Sequence, residues 1–374
     1  MKILFLSHTA SLYGANRCML NSIHYFSQKG HDVSLIIPRS GPIEQVLNEK
    51  KIKYVKVLIF PLVYTHSLTM ILQLHSYLAK FLVSMVNVIK LIWFIKSQKI
   101  DLIYSNSIIV WQGVLLAKLF RIKNILHVRE VFENYNVKYP LHKYFVNYLI
   151  KNSYYNLITS YALKELYAKD YNYDSAHVIY SYLSYSNKLA EPKKNIDKTN
   201  FTVCIIGQLS QEKGQHIAIK AISKLVNIES SVKLFIVGDG SDHYTKQLKQ
   251  QAATLNIEKN VIFTGRLDNP ADYFRQADCS VACSEFEAFG LVVIESLKCG
   301  TPVICNNAGA FPEIINHNKN GFLYEKTADS LFEYLELIYS QKVNYHDLSK
   351  EAILTIKHKF NLENYVKQMD KVFN

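Results

Sequence analysis

Two carboxylates eight residues apart, Glu287 and Glu295, bracket Phe289-Gly290-Leu291 at the start of an apolar helical run. A carboxylate can accept hydrogen bonds from two neighbouring hydroxyls, so acidic side chains in this setting suit sugar and ribose alcohols. A helix opening near Gly290 would aim its free amides and partial positive charge at a bound diphosphate. Glu295 stands one to two turns into the run among Val292, Val293, Ile294 and Leu297, which predicts an otherwise buried carboxylate. Such a group is costly without a partner, and either a ligand or a structural donor has to supply one.

Other turns carry residues of the same kind. Gly207-Gln208-Leu-Ser-Gln-Glu-Lys213-Gly214 leaves one apolar run and opens another, with glycines for close backbone approach and a lysine beside a helix N-terminus. Taken alone, a lysine there is more often a plain surface residue. Val237-Gly238-Asp-Gly240 is a glycine turn without the third glycine of a dinucleotide fingerprint, open to loop geometry or ligand contact. Thr264-Gly-Arg266-Leu267 offers backbone groups to a base edge, though Arg266 is also readable as simply exposed. In the first half, Gly14 in Tyr13-Gly-Ala-Asn16 stands where backbone can approach phosphate. His127-Val-Arg129-Glu130 closes a strand-like run, and a histidine flanked by two charged groups is open to a structural or a catalytic role.

These positions fall at the ends of predicted strands. Lys2–Ser7, His31–Ile37, Tyr54–Phe60, Leu102–Ser105 and Ile125–Val128 read as strands, with helical spacing over Ala15–Lys29 and around Leu115–Phe120. The rhythm restarts with strand Phe201–Ile206, helix Gln215–Val226, strand Val232–Val237, helix Tyr244–Leu255, strands Val261–Phe263 and Cys279–Cys283, helix Leu291–Cys299 and strand Val303–Asn306. Alternating strands and helices predict an α/β fold with two doubly wound parallel sheets, whose ligands sit at the carboxyl ends of strands. The apolar pattern fails over Ser184–Asn200, which reads as a polar connector between two domains, 1–185 and 200–355.

A chain of 374 residues with 49% apolar and 20% charged residues suits two globular cores and excludes disorder or a fibrous repeat. The first eight residues lack the apolar run of an export signal, and the six cysteines have no paired C-x-x-C spacing. Reduced core thiols and a cytosolic setting are therefore expected. The net charge of +12 is uneven: residues 1–190 carry +13 and residues 191–374 carry −1. Residues 51–100 hold seven lysines and no acid, interleaved with apolar and aromatic side chains. That pattern is a solvated helical face or a contact for an anionic partner. Val57–Ala79 is long enough to span a bilayer, but Pro61, His66, Gln73 and His75 among others argue against it. The spacing of Leu68, Ile71, Leu72, Leu74, Leu78, Phe81, Leu82 and Met85 predicts an amphipathic helix, and residues 68–99 are the segment expected to lie on an anionic membrane.

Taken in order, the opening strand and glycine turn, His127, the G-x-L-x-x-x-K-G turn, the V-G-D-G turn, Glu287 and Glu295 around Phe289-Gly290, Gly300-Thr-Pro302 and the ending resemble glycosyltransferase family 4 over nearly the whole chain. The resemblance implies a GT-B fold: two Rossmann-like domains facing a cleft, the first for the acceptor and the second for the nucleotide-sugar. It implies that Glu295 binds ribose, Glu287 the transferred sugar, Lys213 the diphosphate leaving group, and that His127 lies beside the reacting sugar. It also implies a last helix, 358–374, that packs back on the first domain. Gln208 stands where family members usually carry arginine, and Ser181-Tyr182 replaces the usual Asn-Gly after the Val-Ile-Tyr run.

The expected activity is hexosyl transfer with retained configuration from a nucleoside-diphosphate sugar, a UDP-sugar ahead of GDP-mannose. The acceptor is lipid-linked or a saccharide, in assembly of a bacterial surface polysaccharide such as capsule or O-antigen. No obligatory cofactor is implied, and with no Asp-x-Asp at these turns no metal is required. A nucleotide-sugar epimerase or phosphorylase on the same scaffold is the competing activity. A nucleic-acid-binding module would leave the Glu287/Glu295 constellation unexplained.

Overall fold

The computed structural model describes residues 1–59, 86–131, 142–171, 173–183, 189–193, 195–267 and 270–373. The helix expected from Leu68 to Met85 lies outside the described residues, as does all of the 68–99 segment before residue 86. The chain divides into two compact units, one of Met1–Ser181 with Tyr365–Asn374 and one of Tyr182–Asn364.

The first unit is a seven-stranded parallel sheet in the order β3-β2-β1-β4-β5-β6-β7. Its strands are β1 (Lys2–Leu6), β2 (Asp32–Ile37), β3 (Lys53–Lys56), β4 (Leu102–Asn106), β5 (Lys123–Val128), β6 (Tyr155–Ile158) and β7 (His177–Val178). The described helices between them are α1 (Gly14–Gln28), α2 (Ile43–Glu49), α3 (86–98), α4 (Gln112–Phe120), α5 (His142–Lys151) and α6 (Tyr161–Asp170). Central strands are buried on both faces, which is why β1 reads Ile-Leu-Phe-Leu and β4 is buried throughout.

The second unit is a six-stranded parallel sheet in the order β10-β9-β8-β11-β12-β13. It is built from β8 (Thr202–Ile206), α7 (Gln215–Val226), β9 (Lys233–Val237), α8 (Asp242–Thr254), β10 (Val261–Gly265), α9 (Ala271–Gln276), β11 (Cys279–Ala282), α10 (Leu291–Lys298), β12 (Val303–Asn306), α11 (Phe311–Ile314), β13 (Gly321–Tyr324), α12 (Ala328–Tyr339) and α13 (Tyr345–His358). Ala218, Ile219, Ile222 and Leu225 of α7 recur at helical spacing and pack with Leu331, Leu335 and Ile338 of α12 over Val203, Ile205, Leu234 and Ile236. All six cysteines are free and buried, five of them in this unit.

Two boundaries differ from expectation. The segment leading to Asn200 is not a free tether: Lys193 donates its amide to Ser349 Oγ (2.8 Å) and its ammonium to the Phe274 carbonyl (3.1 Å), and Ile196 joins the core of the second unit. Side chains that are polar in the sequence are here hydrogen-bonded along a surface, so the division falls earlier, between Ser181 and Tyr182. The last helix does not run from residue 358. Helix α13 ends at His358, and α14 (Leu362–Phe373) starts afresh where Asn361 Oδ1 accepts the Asn364 amide at 2.8 Å.

Candidate functional site

In the second unit the strand order reverses between β8 and β11, the place where an open parallel sheet leaves a crevice at its carboxyl edge. The loop after β8 carries Gln208 and Lys213; the loop after β11 carries Ser284, Glu287, Phe289 and Gly290. The two loops are stitched together. The Glu285 amide donates to the Glu212 carbonyl at 2.9 Å, and Lys213 Nζ lies 2.7 Å from Glu287 Oε2. Ser284 Oγ donates to the same carboxylate oxygen at 3.3 Å. Beside them α7 and α10 begin on Gly214 and Gly290, and neither has a side-chain cap. Uncapped N-termini leave amides available to an anion.

A third loop, after β12, closes against Glu287. The Ala310 amide donates to the Glu287 carbonyl (2.9 Å), and Asn306 Nδ2 to the Ser284 carbonyl (2.9 Å). Gly309 has φ +56°, and a Cβ there would stand 2.5 Å from both the Glu287 nitrogen and oxygen. Asn306, Gly309 and Ala310 were missing from the sequence candidates; the glycine just past a strand end was their available signal.

The remaining second-unit candidates separate. Glu295 is half-buried, less enclosed than its apolar neighbours implied, because Val293, Ile294 and Leu297 point to the core while its own face of α10 does not. The Phe289 side chain is buried against Phe360, ring centroids 6.1 Å apart. Leu291 is partly buried as the first residue of α10. Gln208 is exposed and its carbonyl accepts from Gln215 Nε2 at 2.9 Å. Gly238 has a packing reason of its own: a Cβ there would lie 1.9 Å from the Gly207 carbonyl oxygen, so the glycine lets the turns after β8 and β9 touch. Arg266 is exposed at the end of β10.

In the first unit the order reverses between β1 and β4. Gly14 is exposed as the first residue of α1, and the turn leading to it is held by buried Asn16, which accepts from Ser7 Oγ (2.7 Å) and donates to the Thr9 (2.9 Å) and Ser11 (2.7 Å) carbonyls. His127 is fully buried near the end of β5, with Nδ1 against the Tyr104 hydroxyl. Burial first, and then the neighbouring Arg129 cation, hold its pKa well below the ordinary histidine value, so it is neutral. Its position is therefore enclosed by its own unit rather than open at the strand end. Arg129 Nε donates to Asn106 Oδ1 at 2.6 Å; Glu130 accepts from the Ser107 hydroxyl and the Ile108 amide (3.1 Å), and its pKa is raised, chiefly by burial. His8, just past β1, was not among the candidates; burial pushes its pKa down to about 4.

Residues 186–355 match the family model of glycosyl transferases group 1. The second unit belongs to the group 1 glycosyl transferases. Over 157 residues the chain is 31% identical to N-acetyl-alpha-D-glucosaminyl L-malate synthase of Bacillus anthracis, covering 41% of this chain and 40% of that protein. It is 32% identical over 184 residues to alpha-monoglucosyldiacylglycerol synthase of Streptococcus pneumoniae, 48% of this chain and 40% of that protein. The chain thus spans about 40% of the length of these relatives. The whole chain superimposes on Anabaena HepE in complex with UDP with a TM-score of 0.81 at 20% identity, covering 100% of this chain and 99% of that one. The shared architecture is the GT-B fold of two Rossmann-like parallel-sheet domains.

Proposed function

We propose that the protein is a glycosyltransferase that moves a hexose from a nucleoside-diphosphate sugar to a hydroxyl of a lipid-linked or saccharide acceptor, with retention. The observation that carries the reading is the Lys213–Glu287 pair set between two uncapped helix N-termini at the sheet's switch point. A diphosphate is drawn to Lys213 and the first-turn amides of α7 and α10, and a sugar hydroxyl to the Glu287 carboxylate. Glu295 on α10 is assigned to the ribose hydroxyls, and Arg266 and Gly238 to the edge of the nucleotide. Charge on the departing phosphate is stabilised by Lys213 and those amides, while its oxygen takes the acceptor's proton. Gln208 supplies a neutral donor where the family usually places a second cation, so the helix termini carry more of that charge.

UDP is the favoured base, supported by HepE having been captured with UDP and with UDP-glucose. Surface polysaccharide assembly at the cytoplasmic face of a membrane is the proposed setting. Among the described residues no helix is long and apolar enough to cross a bilayer. Helix α3 instead turns Asn87, Leu91 and Ile95 inward and leaves Val86, Ile89 and Trp93 exposed (56%, 64% and 72%) beside Lys90 and Lys96. Apolar and aromatic side chains rimmed by lysines suit the interface of an anionic bilayer.

The test is a thermal-shift panel of UDP-, GDP-, ADP- and dTDP-sugars, repeated with Glu295→Ala, followed by product analysis with and without an acceptor. A shift retained in full by the variant removes Glu295 from the site. Donor conversion without an acceptor favours an epimerase. Equal flotation of wild type and Trp93→Ala with anionic vesicles overturns the membrane contact alone.

A further inference from the structure

Arg129 stands just past the end of β5, at the carboxyl edge of the first unit's sheet, and is only 7% exposed. One edge of its guanidinium is fully used: Nε donates to Asn106 Oδ1 at 2.6 Å, and Nη2 to Ser22 Oγ and the Tyr104 hydroxyl at 3.3 Å each. All three acceptors are neutral. Nη1, on the other side of the planar group, is buried and has no hydrogen-bond partner among the described residues. Nor does a described carboxylate come within ion-pairing distance of the guanidinium. Glu130, next in the chain, turns its carboxylate instead to the Ser107 hydroxyl and to the amides of Ile108 (3.1 Å) and Arg129 (3.2 Å).

A guanidinium cannot shed its proton, so it stays charged at any working pH. A cation held out of water is unfavourable until an opposite charge meets it, and neutral oxygens answer its donors without answering its charge. Two more buried polar atoms without a partner lie at neighbouring strand ends, His127 Nε2 on β5 and His8 Nδ1 just past β1. Strand β4 runs between those two strands and ends in Asn106, whose side chain takes Arg129 and whose backbone takes His8. Burial holds both imidazoles neutral, so Arg129 supplies the positive charge of the group. Buried polar atoms are almost always hydrogen-bonded, and three left over around one residue call for a partner from outside.

We propose that the carboxyl edge of the first unit binds an oxyanion, a phosphate or a carboxylate, on Arg129 Nη1, with His8 and His127 beside it for other oxygens of the same molecule. The anion supplies the missing charge and the missing acceptor together, and a planar guanidinium suits either oxyanion. The proposal rests on the sugar-transfer reading in making that molecule the acceptor, but the anion site does not. An acceptor bound this way is a saccharide or lipid-linked saccharide that carries a negative charge. It reaches Nη1 by displacing the groups that now cover it.

The experiment titrates the full chain with glucose 1-phosphate, glucuronic acid and neutral methyl glucoside, followed by ligand NMR at constant ionic strength. Saturating UDP occupies the phosphate-binding loops of the second unit. In the wild type at least one of the two anionic sugars is expected to bind about tenfold or more tighter than methyl glucoside, the size of one charge-assisted hydrogen bond. Whichever does so names the group. Arg129→Met, which drops the charge at similar length, and Arg129→Gln, which also keeps a donor for Asn106, are expected to erase that preference. The rise in melting temperature given by UDP is expected to stay as in the wild type. A wild type without the preference overturns the proposal, as does either folded variant that retains it. A preference lost in Lys213→Ala and kept in Arg129→Met puts the anion on the second unit and also overturns it. A preference carried by Arg129 in a protein that transfers no sugar upholds the site and defeats the transfer reading instead.

Discussion

Lys213 and Glu287, 74 positions apart, form an ion pair at 2.7 Å that joins the loops after β8 and β11. With 37% and 17% of their side chains exposed, the pair contributes little to stability, on the order of 1 kcal/mol or less after solvent screening. Its value is in placing a cation and a carboxylate at the switch point, each ready to exchange its partner for a ligand group. Lys213→Ala and Glu287→Gln are therefore expected to lower kcat about 100-fold or more while moving the melting temperature by only a few degrees. Steady-state kinetics and thermal melts of both variants check this. A large loss of stability with intact turnover would make the pair structural.

Gly309→Ala tests the third loop. A methyl group 2.5 Å from the Glu287 backbone, at a φ of +56°, has to displace that backbone or the turn itself. The expected cost is about 1–3 kcal/mol, together with weakened donor binding, although Gly309 carries no side chain. Urea denaturation gives the first quantity and nucleotide titration the second. Unchanged titration would show that the Glu287 backbone position is immaterial.

Asp278, just before β11, has its pKa pushed up to about 6, mainly by burial and despite the Thr202 amide at 2.8 Å and nearby Lys193. A carboxyl whose folded pKa is raised binds protons more readily than in the unfolded chain. Its contribution therefore favours the fold below the ordinary value of 3.8 and is lost as pH rises through 6. Asp278→Asn should stabilise the protein more at pH 8 than at pH 5. Melting temperatures of both proteins across that range give the difference, and a difference independent of pH removes the assignment.

Met369 is fully buried on the face of α14 that also carries Tyr365. Truncation to alanine is expected to cost about 2–5 kcal/mol, because a buried long side chain leaves a cavity that only partly collapses. The closing residues belong to the first unit, so the loss should appear in that unit's amides by hydrogen exchange. A loss confined to the second unit would contradict this packing.

Periodicity alone placed the central strands and the helices Gln215–Val226 and Leu291–Lys298 to within a residue or so, because strands buried on both faces and amphipathic helices write their burial into local pattern. The same pattern put Lys213, Glu287 and Gly290 at strand ends, where parallel sheets hold ligands. It missed the β13–α13 stretch and, in the first unit, the short and partly exposed β6 and β7, and it read the edge strand β3 (Lys53–Lys56) as Tyr54–Phe60. What sequence could not decide depends on approach between distant segments. Gly309 pressing on Glu287, Lys213 turning to Glu287, the partial exposure of Glu295 and the sealing of His127 by Tyr104 and Arg129 are set by which loops meet when strand order reverses. Tyr365 is the clearest case. Its spacing marks it as one aromatic on a terminal helix, and only the docked helix brings its hydroxyl to Ser22, because hydrogen bonds of 2.8 Å are fixed by tertiary packing and leave no periodic trace in the chain.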